Sequence, residues 1–252
     1  RRSSDLRFVL PASIRSQWQP SIDWALENIN KAQQQQSRQV KLNLRYHDED
    51  TENLDNLAYK LANPEAGDDT CHAIIGPYHS SHAKDILRYA GRNRLPIIMP
   101  TCTSSELQRT NARNTYAWFL TESDITQCEI MVTGVAKMVD VDVALIYSDD
   151  TYGQSFHDWF GYYATERQLH MAGEGIIAYE NGMNLKPFLD RLAADCKNGR
   201  LVVCIALSDA SNYNDATTQV HQWYENIKKD GKILTLQVIL SDAALDDEVV
   251  QD

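Results

Sequence analysis

The sequence predicts an α/β protein made of two doubly wound parallel sheets, and three observations lead there. Short apolar runs alternate with stretches of helical periodicity along the whole chain, the pattern of parallel strands joined by crossover helices. Two of the runs, VDVALIY at 141–147 and LVVCIAL at 201–207, are apolar almost without a break, as strands covered on both faces are. About ten such strand and helix units exceed what one compact sheet holds, so a second lobe is required.

Taken in order, the first strand is the run LRFVL at 6–10, ended by Pro11. A loop is expected over 11–19, carrying Arg15 and Trp18. A helix follows over 20–32, because Ile22, Ala25, Leu26 and Ile29 recur at helical spacing and Pro20 suits a first turn. Residues 33–36 (QQQQ) read as a polar turn. Alternation at 40–46 marks the second strand, closed by the acidic run 47–50, and 51–61 reads as a helix broken by Asn63-Pro64 and Ala66-Gly67.

The stretch 73–107 organises the rest. A strand at 73–76 meets a Gly-Pro turn, a helix opens at Ser80 or Ser81, a strand occupies 96–99, and the loop 101–105 is rich in hydroxyls. Further strands are expected at 116–120, 141–147, 175–179, 201–207 and 233–240, and further helices at about 123–138, 155–168, 185–196 and 214–229, with a loop over 241–246. The polar passage 120–124 is the expected hinge crossing, which makes 1–119 an N-terminal lobe and 120–252 a second lobe.

Composition removes several classes of function. A formal charge of -11 repels phosphate backbones and anionic membranes, and no basic run offsets it, so no nucleic-acid partner is expected. No apolar run approaches the ~18 residues of a membrane span. The five cysteines are an odd number and include no C-x-x-C pair, which argues against a structural zinc site and a thioredoxin-like motif. His79 and His82 stand three apart near a helix start and could seat a metal, but no carboxylate has an obvious place beside them, so no metal and no cofactor are expected. The acidic run Asp48, Glu49 and Asp50 reads as a solvated strand end. Cys128 and Cys204 read as core thiols.

Three loops at expected strand ends carry similar equipment: Ser80 with Ser81, Thr101 to Ser105, and Tyr152 beside Gly153. Hydroxyls and free backbone NH groups at such an edge can fix a small polar ligand, and the helix start at Ser80 favours an anion. Each loop is also explained by simple helix capping.

The segments GPYHSSHAKDIL (76–87), LPIIMPTCTSSEL (95–107), SDITQ (123–127), ALIYSDDTYGQS (144–155) and LSDAALDDEV (240–249) resemble, in that order, the type I periplasmic binding proteins. The likeness is strongest to the branched-chain amino-acid binding proteins and to the ligand domains of metabotropic glutamate and natriuretic-peptide receptors. ASIRSQW (12–18) is similar to the first ligand loop of the bacterial members. The resemblance implies a non-catalytic, extracytoplasmic solute-binding protein that closes two lobes on an amino acid or similar zwitterion. It implies a periplasmic setting, lipid anchoring through a removed N-terminal segment as one form of attachment, and a permease or signalling partner. By resemblance, Ser80 holds the ligand carboxylate; Thr101, Cys102 and Thr103 present hydroxyl and backbone groups to it; Tyr152 covers it from the second lobe. Asp242 takes the ammonium, Asp124 contacts it as in the receptor branch, and Trp18 lies against the ligand side chain.

The chain departs from the family pattern in places. Leu120 stands where an arginine is expected, Tyr78 and His79 replace small residues, and the returning segment that completes the first lobe in family members is expected beyond Asp252. Two rivals come from other classes: a ligand-sensing receptor ectodomain, and an amidase-like hydrolase using Cys102 or Ser80 with His79. A transcription regulator of similar architecture would need a DNA-binding helix pair before Leu6.

Overall fold

The fold is that of a computed structural model, which describes residues 2–36, 40–63, 71–230, 233 and 235–245. The expected breaks at 64 and 66–67, and the end of the loop beyond 245, lie outside the described residues. Backbone contacts divide the chain into two compact units, Arg1–Glu122 and Ser123–Asp252.

The first unit holds a five-stranded parallel sheet of β1 (Arg2–Leu10), β2 (Val40–Asp48), β3 (Ala73–Ile75), β4 (Ile97–Met99) and β5 (Ala117–Phe119), in the order β2-β1-β3-β4-β5. Its helices are α1 (Ala12–Gln35), α2 (Leu54–Ala62), α3 (Ser80–Ala90) and α4 (Ser105–Thr110). The chain runs outward from β1 to β2 and then returns past β1 to β3, so the order reverses between β1 and β3. A crevice opens at the carboxyl ends of strands flanking such a switch point. Val9, Ile74, Ile97 and Met99 point to one face, where α2, α3 and α4 cover them with Leu54, Leu57, Ala83, Ile86 and Leu107. On the other face α1 packs along β2, and the Asn30 side chain takes both the NH and the C=O of Leu42, at 2.9 and 3.1 Å. That face is less covered toward β5, where Trp118 is 46% exposed, and Leu120 just beyond is 66% exposed.

Helix α1 corrects the expected loop over 11–19 and the expected turn over 33–36. It starts at Ala12, with Pro11 as its cap and the Pro11 carbonyl accepting from Arg15 N at 2.9 Å, and it runs through Pro20 to Gln35. A proline removes one backbone donor, but Pro20 is exposed, and the glutamines at 33–35 are good helix formers. Trp18 therefore lies on a helix.

The second unit repeats the plan with β6 (Asp142–Ser148), β7 (His170–Tyr179), β8 (Arg200–Ala206) and β9 (Thr235–Leu240), all parallel, in the order β7-β6-β8-β9. Helices α5 (Asp124–Val135), α6 (Gly153–Glu166), α7 (Lys186–Asp195) and α8 (Ala210–Ile227) wind around it. Alternate residues of β6 feed two cores. Ala144 and Ile146 pack with Phe188 and Leu192 of α7 and Tyr213 and Val220 of α8. Val143, Leu145 and Tyr147 pack with Cys128 and Val132 of α5 and Phe156 and Phe160 of α6. Burying each of these phenylalanines is worth about 1.5 to 3 kcal/mol. Cys204 is wholly buried in this core and burial pushes its thiol up to about 12, which makes it a packing residue as expected from the sequence.

Candidate functional site

Apart from Trp18, which lies about two turns into α1, the candidate binding residues lie just after the carboxyl ends of strands, and each unit gathers its own set. In the first unit the turn after β3 approaches β1 closely. A Cβ on Gly76 would lie 2.1 Å from the Val9 carbonyl, and its φ of +107° is one that other residues avoid, so the position needs glycine. This turn delivers the chain to the N-terminus of α3. Ser80 is buried there, and its hydroxyl accepts from the Ser104 NH at 3.4 Å, joining the loop after β3 to the loop after β4. Thr101 donates through Oγ1 to the Tyr78 carbonyl at 2.7 Å, and Thr103 is buried beside them. The Trp18 ring stands edge-on to Tyr78 with centroids 5.9 Å apart. The structure thus brings Trp18, Ser80, Thr101, Cys102 and Thr103 to one edge of one sheet.

Cys102 is fully buried and directs its thiol at the carbonyls of Pro77 and Tyr78, at 3.3 and 3.8 Å. His79 directs Nδ1 at Glu49 Oε1, 2.6 Å away. Nucleophile and base of the hydrolase reading are therefore each engaged elsewhere, whereas activation needs a direct bond between them.

Glu49 corrects the sequence reading twice. It is not part of a solvated acidic run: its side chain is fully buried, while Asp50 next to it is exposed. It is also the carboxylate that the histidine pair was expected to lack. Its oxygens accept from the NH groups of Tyr78 (2.6 Å) and His79 (3.0 Å), and from Nδ1 of His79 (2.6 Å) and His82 (3.2 Å). Burial alone would push the carboxyl up; the bonds from His79, His82 and the Tyr78 NH outweigh it and hold the group below the usual range. The only sequence signal was position, at the end of β2 next to the switch point.

In the second unit, α6 starts in a turn built on Asp150, whose Oδ1 accepts from the NH groups of Tyr152 (2.9 Å) and Gly153 (2.8 Å). The Tyr152 ring is buried beside Phe156, centroids 5.1 Å apart, and its hydroxyl reaches Asp242 Oδ1 at 2.7 Å and Ser241 Oγ at 2.8 Å. A hydroxyl has one proton to give. With the carboxylate taking it from Tyr152, the Ser241 hydroxyl donates to Tyr152, the Tyr213 hydroxyl meets Ser241, and Tyr213 accepts from the Leu207 NH at 2.9 Å. This ordered chain ties the end of β8, the first turn of α8, the turn after β9 and the start of α6. Burial, reinforced by the charges of Asp242 and Asp124, holds the Tyr152 hydroxyl well above its ordinary pKa, so it remains a donor. Asp124, fully buried in the first turn of α5, completes an edge with two carboxylates and three hydroxyls. Such an edge suits a cation or a polyhydroxylic group. A surface groove of about 480 Å³ lies elsewhere, along Arg200, Leu236 and Gln237, and its lining gathers no such set of groups.

Two parallel sheets of this order, each with its polar residues at the carboxyl ends of its strands, define the type I periplasmic binding fold. A family model described as "Receptor family ligand binding region" matches residues 17–215. The chain belongs to that family. Among solved structures, an ABC transporter substrate-binding protein of Desulfitobacterium hafniense in complex with Leu is 19% identical with a TM-score of 0.67, covering 96% of this chain and 67% of that one. The branched-chain amino-acid substrate-binding protein LivJ of Streptococcus pneumoniae, in complex with isoleucine, is 18% identical with a TM-score of 0.68, covering 99% of this chain and 67% of that one. A solute-binding protein of Rhodopseudomonas palustris HaA2 in complex with p-hydroxybenzoic acid is 14% identical with a TM-score of 0.74, covering 97% and 63%. The chain therefore spans about two thirds of the length of these structures. No curated protein matches it.

Proposed function

We propose that the protein is a non-catalytic, extracytoplasmic solute-binding protein whose two units are lobes that close on an amino acid or a similar zwitterion. The observation that carries this reading is the opposite chemistry of the two strand edges. The first unit offers hydroxyls and the first-turn NH groups of α3 from Ser80 onward, beyond the Tyr78 and His79 NH groups that Glu49 already takes, and these suit a carboxylate. The second offers Asp242 and Asp124 around Tyr152, which suit an ammonium. On this reading Ser80, Thr101, the backbone of Cys102, and Thr103 take the acid end, Trp18 meets the side chain, and Tyr152 and Asp242 take the other end. The crossing between lobes is the passage 120–124.

The neighbours in complex with leucine and isoleucine support an amino acid, and the one with p-hydroxybenzoic acid shares only the carboxylate. Closure from 1:99 to 99:1 requires ~5.5 kcal/mol of differential affinity, which a few charge-assisted bonds of ~1.5 to 3 kcal/mol supply. A permease or a signalling protein is the partner that reads the closed shape. The family's description as a receptor ligand region favours, as a second reading, a sensing ectodomain with the same binding chemistry. A thermal-shift screen of the full-length protein against amino acids, aromatic acids and sugars tests the proposal. Saturation at 100 times Kd adds ~2.7 kcal/mol; stabilisation by sugars alone would overturn the zwitterion.

A further inference from the structure

The geometry points to a metal site in the first unit: we propose that Glu49, Asp50, His79 and His82 bind a divalent transition-metal ion of the zinc type. The proposal does not depend on the solute-binding reading. The four residues come from two places in the chain, just after β2 and the start of α3, which meet at the carboxyl edge of the sheet across the end of β1, where the Glu49 NH bonds the Leu10 carbonyl. His79 and His82, three positions apart, project from the same face of the turn. Each of the four offers one donor atom, and these atoms all lie within 4.8 Å of one another.

Tetrahedral zinc with ligands at about 2.0 to 2.2 Å holds its donors roughly 3.3 Å apart. Here Nδ1 of His79 and of His82 stand 2.6 and 3.2 Å from the same oxygen, Glu49 Oε1. These are proton-bridged distances, and replacing the bridging protons by an ion needs only a small outward movement of two rings. Both imidazoles are about one third exposed, at 29% and 34%, so an ion has a way in and the rings have room. Glu49 is oriented from behind by the NH groups of Tyr78 and His79, the kind of outer support that metal-binding carboxylates have. Asp50, exposed beside it, supplies the fourth donor. Two imidazoles with carboxylates select zinc, nickel or copper over calcium or magnesium, which prefer all-oxygen shells.

A buried carboxylate that caps α3 would account for the two NH bonds and for one imidazole as counter-charge. It does not account for a second imidazole aimed at the same oxygen, nor for Asp50 within reach of all three.

The test is titration of the full-length, chelator-stripped protein with Zn²⁺ by calorimetry. One ion per chain is expected, bound at least 10-fold more weakly by His82→Ala and unchanged in His157→Ala, which alters a histidine of the second unit. If His82→Ala does not fold by circular dichroism, the ring signals of the wild-type protein decide. Zn²⁺ should shift those of His79 and His82 and leave His72, His157, His170 and His221 in place. Equal affinity for wild type and a folded His82→Ala, or histidine signals indifferent to Zn²⁺, overturns the site.

Discussion

Replacing Tyr152 by phenylalanine removes one oxygen and leaves the ring in its place beside Phe156. That oxygen holds the bond to the Asp242 carboxylate at 2.7 Å and to the Ser241 hydroxyl at 2.8 Å. A hydrogen bond to a charged group contributes about 1.5 to 3 kcal/mol and a neutral one about 1. Asp242 is exposed and regains water in the variant, so its share is discounted; Ser241 is buried but keeps Tyr213 as a partner. The net cost is then about 2 kcal/mol, carried by the second unit. Urea unfolding followed by circular dichroism measures it, as a lower midpoint at unchanged slope. Ligand affinity should fall as well, since Asp242 loses the bond that aims it. A stability within ~0.3 kcal/mol of wild type would mean that the hydroxyl chain through Ser241 and Tyr213 does not fix the turn after β9.

Acid sensitivity should arise in part at the other end of the second sheet. Asp142 is fully buried and accepts from the Cys196 thiol (3.1 Å), His170 Nδ1 (2.5 Å) and the Lys197 and Asn198 NH groups (2.9 and 3.4 Å). Burial raises its carboxyl, but these bonds more than offset it and hold the group below its ordinary value. A depressed native pKa stabilises the fold above the unfolded value of ~3.9, and that share is lost as pH falls through the native value. Wild type and Asp142→Asn should therefore keep the same difference in urea stability from pH 7 down to about pH 4 and converge only as pH falls further, through the native value; a difference that stays constant through the acid range contradicts this. Gly153→Ala places a Cβ 2.0 Å from the Ser148 carbonyl and should cost more than ~2 kcal/mol, read as a lower Tm, whereas Gly182→Ala, with no atom within 4 Å of its new Cβ, should suffer only the backbone strain of its positive φ.

The central strands of the second sheet, β6 and β8, were legible because both their faces are covered, which writes them as nearly unbroken apolar runs, 141–147 and 201–207. Helix α1 was not, because Pro11 and Pro20 read as punctuation; whether an interior proline breaks a helix depends on which face it occupies, and Pro20 faces out. The strand-end hydroxyls could be placed at an edge from the alternation alone. Their partners could not: Tyr152 meets Asp242 across 90 positions, and the family resemblance set the two beside one ligand without joining them to each other. Glu49 shows the same limit. An acidic run looks solvated in sequence, and the burial of its middle residue is set by a turn and a helix about 30 positions away.

The most direct test of the account is isothermal titration of two variants of the full-length protein with the best amino-acid ligand. A zwitterion held as proposed loses the counter-charge of its ammonium in Asp242→Asn, which should cost about 2 to 4 kcal/mol, or roughly 30- to 1,000-fold in Kd. Ser80→Ala should cost nearer ~1 kcal/mol, because the backbone NH groups at the start of α3 remain. Asp242→Asn binding as tightly as wild type, or Ser80→Ala proving the more damaging of the two, contradicts an amino acid held between a helix N-terminus and this carboxylate.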